Sequence, residues 1–316
     1  MGARSLPELA GTLCPLIDND VGPWAGRRSL GDRGDVDPDM AHAGVILALL
    51  DASPSARPVL DGAIRLAEVM GAPVQALHMR TAPGSERLAV DLSSARGIGL
   101  EIIDDPVEEA LLRLLATRHV HVGVVGARST AGGRRPVGSV TRAIIERSPI
   151  PVLVVPPESV DPPPFRRALV PLEGTRPTSD PVRAWMPHLA QRMELVVLHV
   201  FTPETVPRML DRPVRDMVML GETFADRHLP GAAGTELRSG HAARHIVDMC
   251  QRRGTGAERG IDLVILSWLQ PIGPGRAQTV QEVLSLSPLP TLLLPAGTHA
   301  HRAPAAPDTA SDRARR

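Results

Sequence analysis

The residues best suited to chemistry form one stretch, Gly126-Ala-Arg-Ser-Thr-Ala-Gly-Gly-Arg-Arg-Pro-Val-Gly138-Ser139-Val-Thr. It follows the apolar run Val120–Val125, so it begins where a buried strand ends. Glycines let backbone N–H groups come close to an anion, and Ser139 opens a helix whose N-terminus favours a phosphate. Arg128, Arg134 and Arg135 add positive charge. A second apolar run ends at Asp51, whose carboxylate suits a ribose hydroxyl or the exocyclic amine of adenine. Together these groups read as recognition of phosphate and sugar. The plainer reading is a tight glycine turn that only joins strand to helix.

Other candidates carry less. His241 and His245 stand four apart on an expected helix near Cys250, but the step from 245 to 250 turns the thiol off their face. They read as solvent-facing histidines near a helix start. His119 and His121 share one face of a strand start, and two ligands do not make a metal site. His78 and His199 recur at equivalent strand ends, which repetition explains. Glu108 and Glu109 read as first-turn charges facing the positive end of a helix dipole. The sequence has no P-loop lysine motif, no GxSxG elbow and no acid–base pair of defined spacing, so catalysis is not expected.

The elements that position these residues alternate between strand and helix. Val45 to Leu50 reads as a strand buried on both faces. Ser53 or Ser55 then caps a helix with Val59, Leu60, Ala63, Ile64, Ala67 and Met70 at helical spacing, and Gly71 stops it. Strands Val74–Met79 and Ile98–Ile103 follow, joined by a short connector, and Asp105-Pro106 caps a further helix. After Val120–Val125 and the glycine loop, a helix from Ser139 leads to strand Val152–Val155. Strands alternating with helices imply a parallel sheet with right-handed crossovers.

The same order then repeats. Ala168-Leu-Val-Pro-Leu-Glu173 mirrors the first strand and Asp51, and Asp180-Pro181 caps the next helix. Val196-Val-Leu-His199 mirrors Gln75-Ala-Leu-His78, and Ile261 to Leu266 mirrors Val120 to Val125. Ser287-Pro-Leu-Pro-Thr-Leu-Leu-Leu-Pro295 mirrors Ser148-Pro-Ile-Pro-Val-Leu-Val-Val-Pro156. The second copy is longer in its middle, where an amphipathic helix near Val206–Phe224 is expected and the first copy has largely lost its counterpart. The organisation is therefore a disordered arm over 1–41, one domain over 42–157, a Pro-rich linker over 158–165, a second domain over 166–297 and a disordered tail over 298–316. Each copy ends in an apolar strand, Val152–Val155 and Thr291–Leu294, and such edges invite pairing.

Composition bounds the partners. Lys+Arg and Asp+Glu are both 35, which gives no electrostatic case for nucleic acid or an anionic membrane. With no Tyr, three Phe and three Trp, no stacking platform for single-stranded bases is expected. Cys14 and Cys250 fall in unlike contexts, which fits a reducing compartment. No apolar run nears the ~20 residues of a membrane span and the start of the chain lacks a signal-peptide pattern, so the expected location is the cytoplasm.

The repeat, the strand-end Asp51, the loop opening at Gly126, Gly138-Ser139 and the final Pro-Val-Leu-Val-Val strand resemble the universal stress proteins. The resemblance spans roughly residues 43–157 and 166–297. It implies two Rossmann-like domains, of the adenine nucleotide alpha hydrolase-like kind, each a five-stranded parallel sheet with helices on both faces. It also implies a non-catalytic regulatory protein that binds ATP or another adenine nucleotide, with backbone amides of the loop on the phosphates. The strand-end Asp would lie near the sugar and the end of the second strand near the base. Those roles fall on Asp51, Met79, Gly126, Gly138, Ser139 and Val140, with Arg128 adding charge. Alternatives are a ligand-free interaction scaffold and a nucleotide hydrolase or transferase.

The family loop runs Gly, two residues, Gly, nine residues, Gly, then Ser or Thr. Here Ser129 stands for the second Gly, and eight residues separate it from Gly138. The second copy departs further: Glu173 replaces the Asp, Ser267 the first Gly and Ala277-Gln278 the Gly-Ser pair, while Trp268, Pro271 and Pro274 bulk out its loop. That copy reads as having lost the pocket and kept the fold. Because members of the family commonly dimerise through the final strand, the resemblance implies that the two copies pair there.

Overall fold

The computed structural model describes residues 44–104, 112, 114–115, 119–127, 138–201, 214–252, 259–269 and 278–296. In chain order these form β1 (Val45–Leu50), α1 (Ala56–Met70), β2 (Val74–Met79), α2 (Arg87–Ala95), β3 (Leu100–Ile103), β4 (Val120–Gly126), α3 (Ser139–Arg147) and β5 (Val152–Val155). Then come β6 (Arg167–Pro171), α4 (Arg176–Leu189), β7 (Glu194–Phe201), α5 (Val214–His228), β8 (Gly234–Ser239), α6 (Ala242–Gln251), β9 (Leu263–Leu269), α7 (Gln278–Leu286) and β10 (Thr291–Ala296).

All ten described strands join one sheet in the order β3-β2-β1-β4-β5-β10-β9-β6-β7-β8. Every pairing is parallel except β5 with β10, where Val154 faces Thr291, Leu153 faces Leu292 and Val152 faces Leu293. The pairing expected of the two apolar final strands thus forms, antiparallel, as the seam of the sheet. Outward from it, both sides follow one connectivity: fifth, fourth, first, second, third.

The strands are apolar on both faces because both faces are covered. Ile46, Ala48 and Leu50 of β1 pack toward α1, while Leu47 joins the opposite core with Ile144 and Ile145 of α3. Leu153 and Val155 go one way and Val152 and Val154 the other, as the two-residue period of a strand requires. Both cores run across the seam: one joins α1 to Val182, Trp185 and Leu189 of α4, the other joins α3 to α6 and α7. A polar tie crosses as well, from Arg192 Nη1 to the Glu68 carbonyl at 2.5 Å, and Arg65 Nε holds the linker at the Pro162 carbonyl, 2.9 Å away.

Several expected boundaries shift. The connector after β2 contains α2, so the first copy keeps a nine-residue counterpart of α5. Its signal is weak because it buries only Ala89 and Ser93. Gly97, at φ 64°, delays β3 to Leu100. α4 begins after Thr175, not at Asp180-Pro181, because Thr175 in extended geometry precedes a Pro in the first helical turn. Trp268 is not loop bulk: it lies in β9 and is 3% exposed, since β9 continues past Leu266 to Leu269 beside β10. The described part of the expected Val206–Phe224 helix starts at Val214 and runs on to His228. Gly71 does end α1, at φ 65°. The two tails, Cys14, Asp105-Pro106, Glu108 and Glu109 lie outside the described residues, and Leu112, Leu114 and Leu115 are helical. No described helix is long and apolar enough to cross a membrane.

Candidate functional site

β1 is central to its side of the sheet, between β2 and β4, so the crossovers diverge from it. Clefts at such a switch point open at the carboxyl ends of the strands. Asp51 follows β1, Met79 ends β2 and Gly126 ends β4, which brings three of the sequence candidates to one edge. Ser139 and Val140 begin α3, with Gly138 as the residue that caps it. Thr141 closes the group: its hydroxyl donates to the Gly126 carbonyl at 2.9 Å and fixes the start of α3 on the end of β4.

Asp51 is exposed and held from one side. Its Oδ1 accepts from the Ser53 amide at 3.0 Å and the Ser53 hydroxyl at 2.7 Å, while the Ser53 hydroxyl also accepts from the Ser55 amide at 3.2 Å. This leads the chain into α1. Gly126 has a packing role besides any binding role, because a Cβ there would stand 3.3 Å from Val59 Cγ2 on α1. Gly138 is buried, its carbonyl accepts from the Arg142 amide at 2.8 Å, and Ser139 beside it is exposed at the helix N-terminus. Arg128 and the rest of residues 128–137 lie outside the described residues.

His78, whose recurrence at His199 repetition alone was expected to explain, has a structural role. It is 1% exposed, its Nδ1–H donates to the Leu50 carbonyl at 2.9 Å, and its Nε2 lies 3.2 Å from Ser85 Oγ. It therefore ties the end of β2 to the residue just before Asp51. Beyond it, Arg80 pairs with Asp104 at 2.9 Å and Glu86 at 3.5 Å. The backbone N–H of Glu86 itself does most to hold its carboxyl below the usual range; burial opposes it, and the Arg80 charge adds to the lowering. The sequence did contain a signal, the Leu-His pair that recurs as Leu198-His199.

The matching edge of the last five strands is built differently. His199 repeats the link, its Nδ1–H donating to the Leu172 carbonyl at 2.8 Å. Its ring, however, is packed between aromatic groups. Phe224 of α5 stacks on it at 4.2 Å, and Phe201 meets it edge-on at 4.6 Å. His228 lies 4.5 Å beyond Phe224, its pKa lowered by burial first and then by Arg227, His199 and Arg183.

The histidines first weighed as metal ligands have other partners. His241 caps α6 and stands 3.6 Å from Glu282, and His245 Nε2 donates to the Ser239 carbonyl at 2.9 Å. No group of three or more His, Cys, Asp or Glu that could hold a metal occurs among the described residues. Cys250 is buried and free, and burial pushes its thiol up to about 12.

Residues 95–156 match the model of the universal stress protein family. Over that segment the chain is similar to the universal stress proteins. The segment spans β3, β4, α3 and β5 and includes Gly126, Gly138, Ser139 and Val140. A universal stress protein from Archaeoglobus fulgidus DSM 4304 is 16% identical, covers 80% of this chain and 98% of its own, and superposes with a TM-score of 0.55. A functionally unknown protein from Pseudomonas aeruginosa PAO1 is 13% identical, covers 82% of this chain and 95% of its own, and gives 0.59. A shorter structure, a universal stress protein in complex with cAMP, is 15% identical and covers 42% of this chain and 98% of its own, at 0.30. No curated protein matches the sequence. The two longer likenesses agree with the α/β fold described above.

Proposed function

We propose that the chain is a non-catalytic regulatory protein that holds an adenine nucleotide, ATP in the first instance, at the carboxyl edge of β1, β2 and β4. One observation carries the reading: Asp51, Met79, Gly126 and the start of α3 share that edge, with Thr141 fixing α3 to Gly126. Asp51 Oδ2 accepts from the ribose, Met79 borders the base, and the amides at Ser139 and Val140 face the phosphates with the dipole of α3 behind them. Arg128 supplies charge from the loop. In this reading residues 42–157 and 166–297 are separate domains joined by the 158–165 linker, and only the first takes nucleotide. Two cysteines far apart in sequence, one of them buried in α6, fit a reducing compartment, and we place the protein in the cytoplasm.

The test is mass spectrometry of small molecules that co-purify with the protein, followed by calorimetry with ATP, ADP and AMP. Nucleotide should be found, without turnover. Gly138→Asp sets a side chain and a charge beside the phosphates, and should abolish binding in protein shown by circular dichroism to remain folded. Unchanged affinity in that variant would remove the assignment. Failure of the natural protein to bind any adenine nucleotide would leave a ligand-free scaffold, and steady conversion of ATP to ADP or AMP an enzyme.

A further inference from the structure

The second set of strands has kept the backbone of a ligand edge and changed what lies over it. Glu173 follows β6 as Asp51 follows β1, and His199 donates to the carbonyl before Glu173 as His78 does to the carbonyl before Asp51. On His78 the outer nitrogen meets a hydroxyl, Ser85 Oγ, and among the described residues no aromatic ring stacks on it. On His199 the Phe224 ring lies nearly flat, 4.2 Å between centroids at 27°. The same ring approaches the turn after β6, where a Cβ at Gly174 would stand 3.0 Å from Phe224 Cε2. Gly174, at φ 86°, is thus doubly required, by its backbone conformation and by the ring beside it. Phe224 therefore touches the two positions whose counterparts, Ala52 and His78, flank Asp51 and Met79 on the other side.

We propose that Phe224 takes, in the second set of strands, the place that a planar base would take in the first, so that the chain closes this edge with a ring of its own. The reading of the first edge supplies the comparison. The closure itself rests on the contacts of Phe224. It needs the longer α5, fifteen residues against nine in α2, to deliver the ring. His228 against Phe224 and Phe201 edge-on to His199 complete a four-ring cluster that gives the plug a fixed orientation. Apolar packing and ring stacking hold it, so the vacated place would accept a flat, uncharged heteroaromatic group of similar size.

The experiment compares the natural chain with Phe224→Ala and Phe224→Leu by thermal melting, with indole and then adenine as probes. Phe224→Ala should melt about 5–10 °C lower, as loss of a half-buried phenyl ring implies. Indole should raise the melting temperature of one or both variants by about 2 °C or more and leave the natural chain unchanged. A rise in the natural chain equal to that in the variants would overturn the proposal, as would no rise in either variant when both fold. Stoichiometry in the natural chain is the second measurement and needs no variant. Two ATP per chain would overturn the closure. One ATP supports both readings, and none sinks the first site while leaving the closed second edge in place.

Discussion

His78 and His199 look interchangeable in sequence and hold the same main-chain link, yet their second contacts, a serine hydroxyl and a phenyl ring, give the two edges different chemistry. Cys250 shows the same dependence on surroundings. It is 7% exposed on the buried face of α6, and burial raises its thiol to about 12 from an ordinary 9.0. A pKa raised in the folded state contributes stability that is complete below the unfolded value and is lost as pH climbs toward the folded one. Unfolding free energy should therefore fall between about pH 9 and 12, with a slope from this group of up to about 1.4 kcal/mol per pH unit. Urea titrations of the natural chain and of Cys250→Ala across that range should differ in slope. Equal slopes would show that the thiol ionises freely in the folded protein. The same burial predicts slow reaction with maleimide at pH 7 until the chain is unfolded.

At the scale of elements, α1 and α2 are joined by charge inside an apolar layer. Asp61 is 8% exposed, Arg96 just past α2 pairs with it directly, and Arg57 stands 3.7 Å away on the more exposed side. Removing one partner of a buried pair strands the other, whereas replacing both by apolar groups is often near neutral. Arg96→Ala should cost about 2–3 kcal/mol of stability, and Arg96→Met with Asp61→Leu should recover most of it, as read by urea unfolding. A double variant no better than the single one would show that the pair is net stabilising. α2 was hard to read because it buries only Ala89 and Ser93 and is tied to α1 by the Arg96–Asp61 pair, so apolar periodicity carries little of its signal. α1 was legible because its apolar residues Val59, Leu60, Ala63, Ile64 and Ala67 recur at helical spacing and ten of its fifteen residues are buried.

At the scale of the molecule, the seam decides whether there is one sheet or two. Val154 is 2% exposed, opposite Thr291, and its side chain lies in the core that α3 shares with α6 and α7. Val154→Lys buries a charge there with no acidic partner in the register and should cost several kcal/mol. Lys at Val160, 50% exposed, should change stability by less than about 0.5 kcal/mol. Unfolding of the Val154 variant should split into two transitions, or the protein should associate through the freed edges during gel filtration. A single transition at the natural midpoint would show that the seam adds little to stability.

What the sequence determined by itself was the periodic and the repeated. Apolar runs ending at Asp51 and Glu173, the doubled Ser-Pro-x-Pro strands and the glycine loop were enough for an α/β chain with a parallel sheet and a carboxyl edge carrying Asp51, Gly126 and Gly138-Ser139. Those features are local, and one strand or one turn encodes each. Tertiary structure decided what depends on residues far apart in the chain: that Thr141 binds the Gly126 carbonyl, that Trp268 is core rather than loop, and that Arg96 answers Asp61. It also decided that Phe224 covers the second edge, twenty-five residues beyond His199 in sequence and against its ring in space. Ring and charge contacts of this kind leave no period in a sequence, because they depend on which helix faces a neighbour reach across the sheet rather than on spacing along the chain.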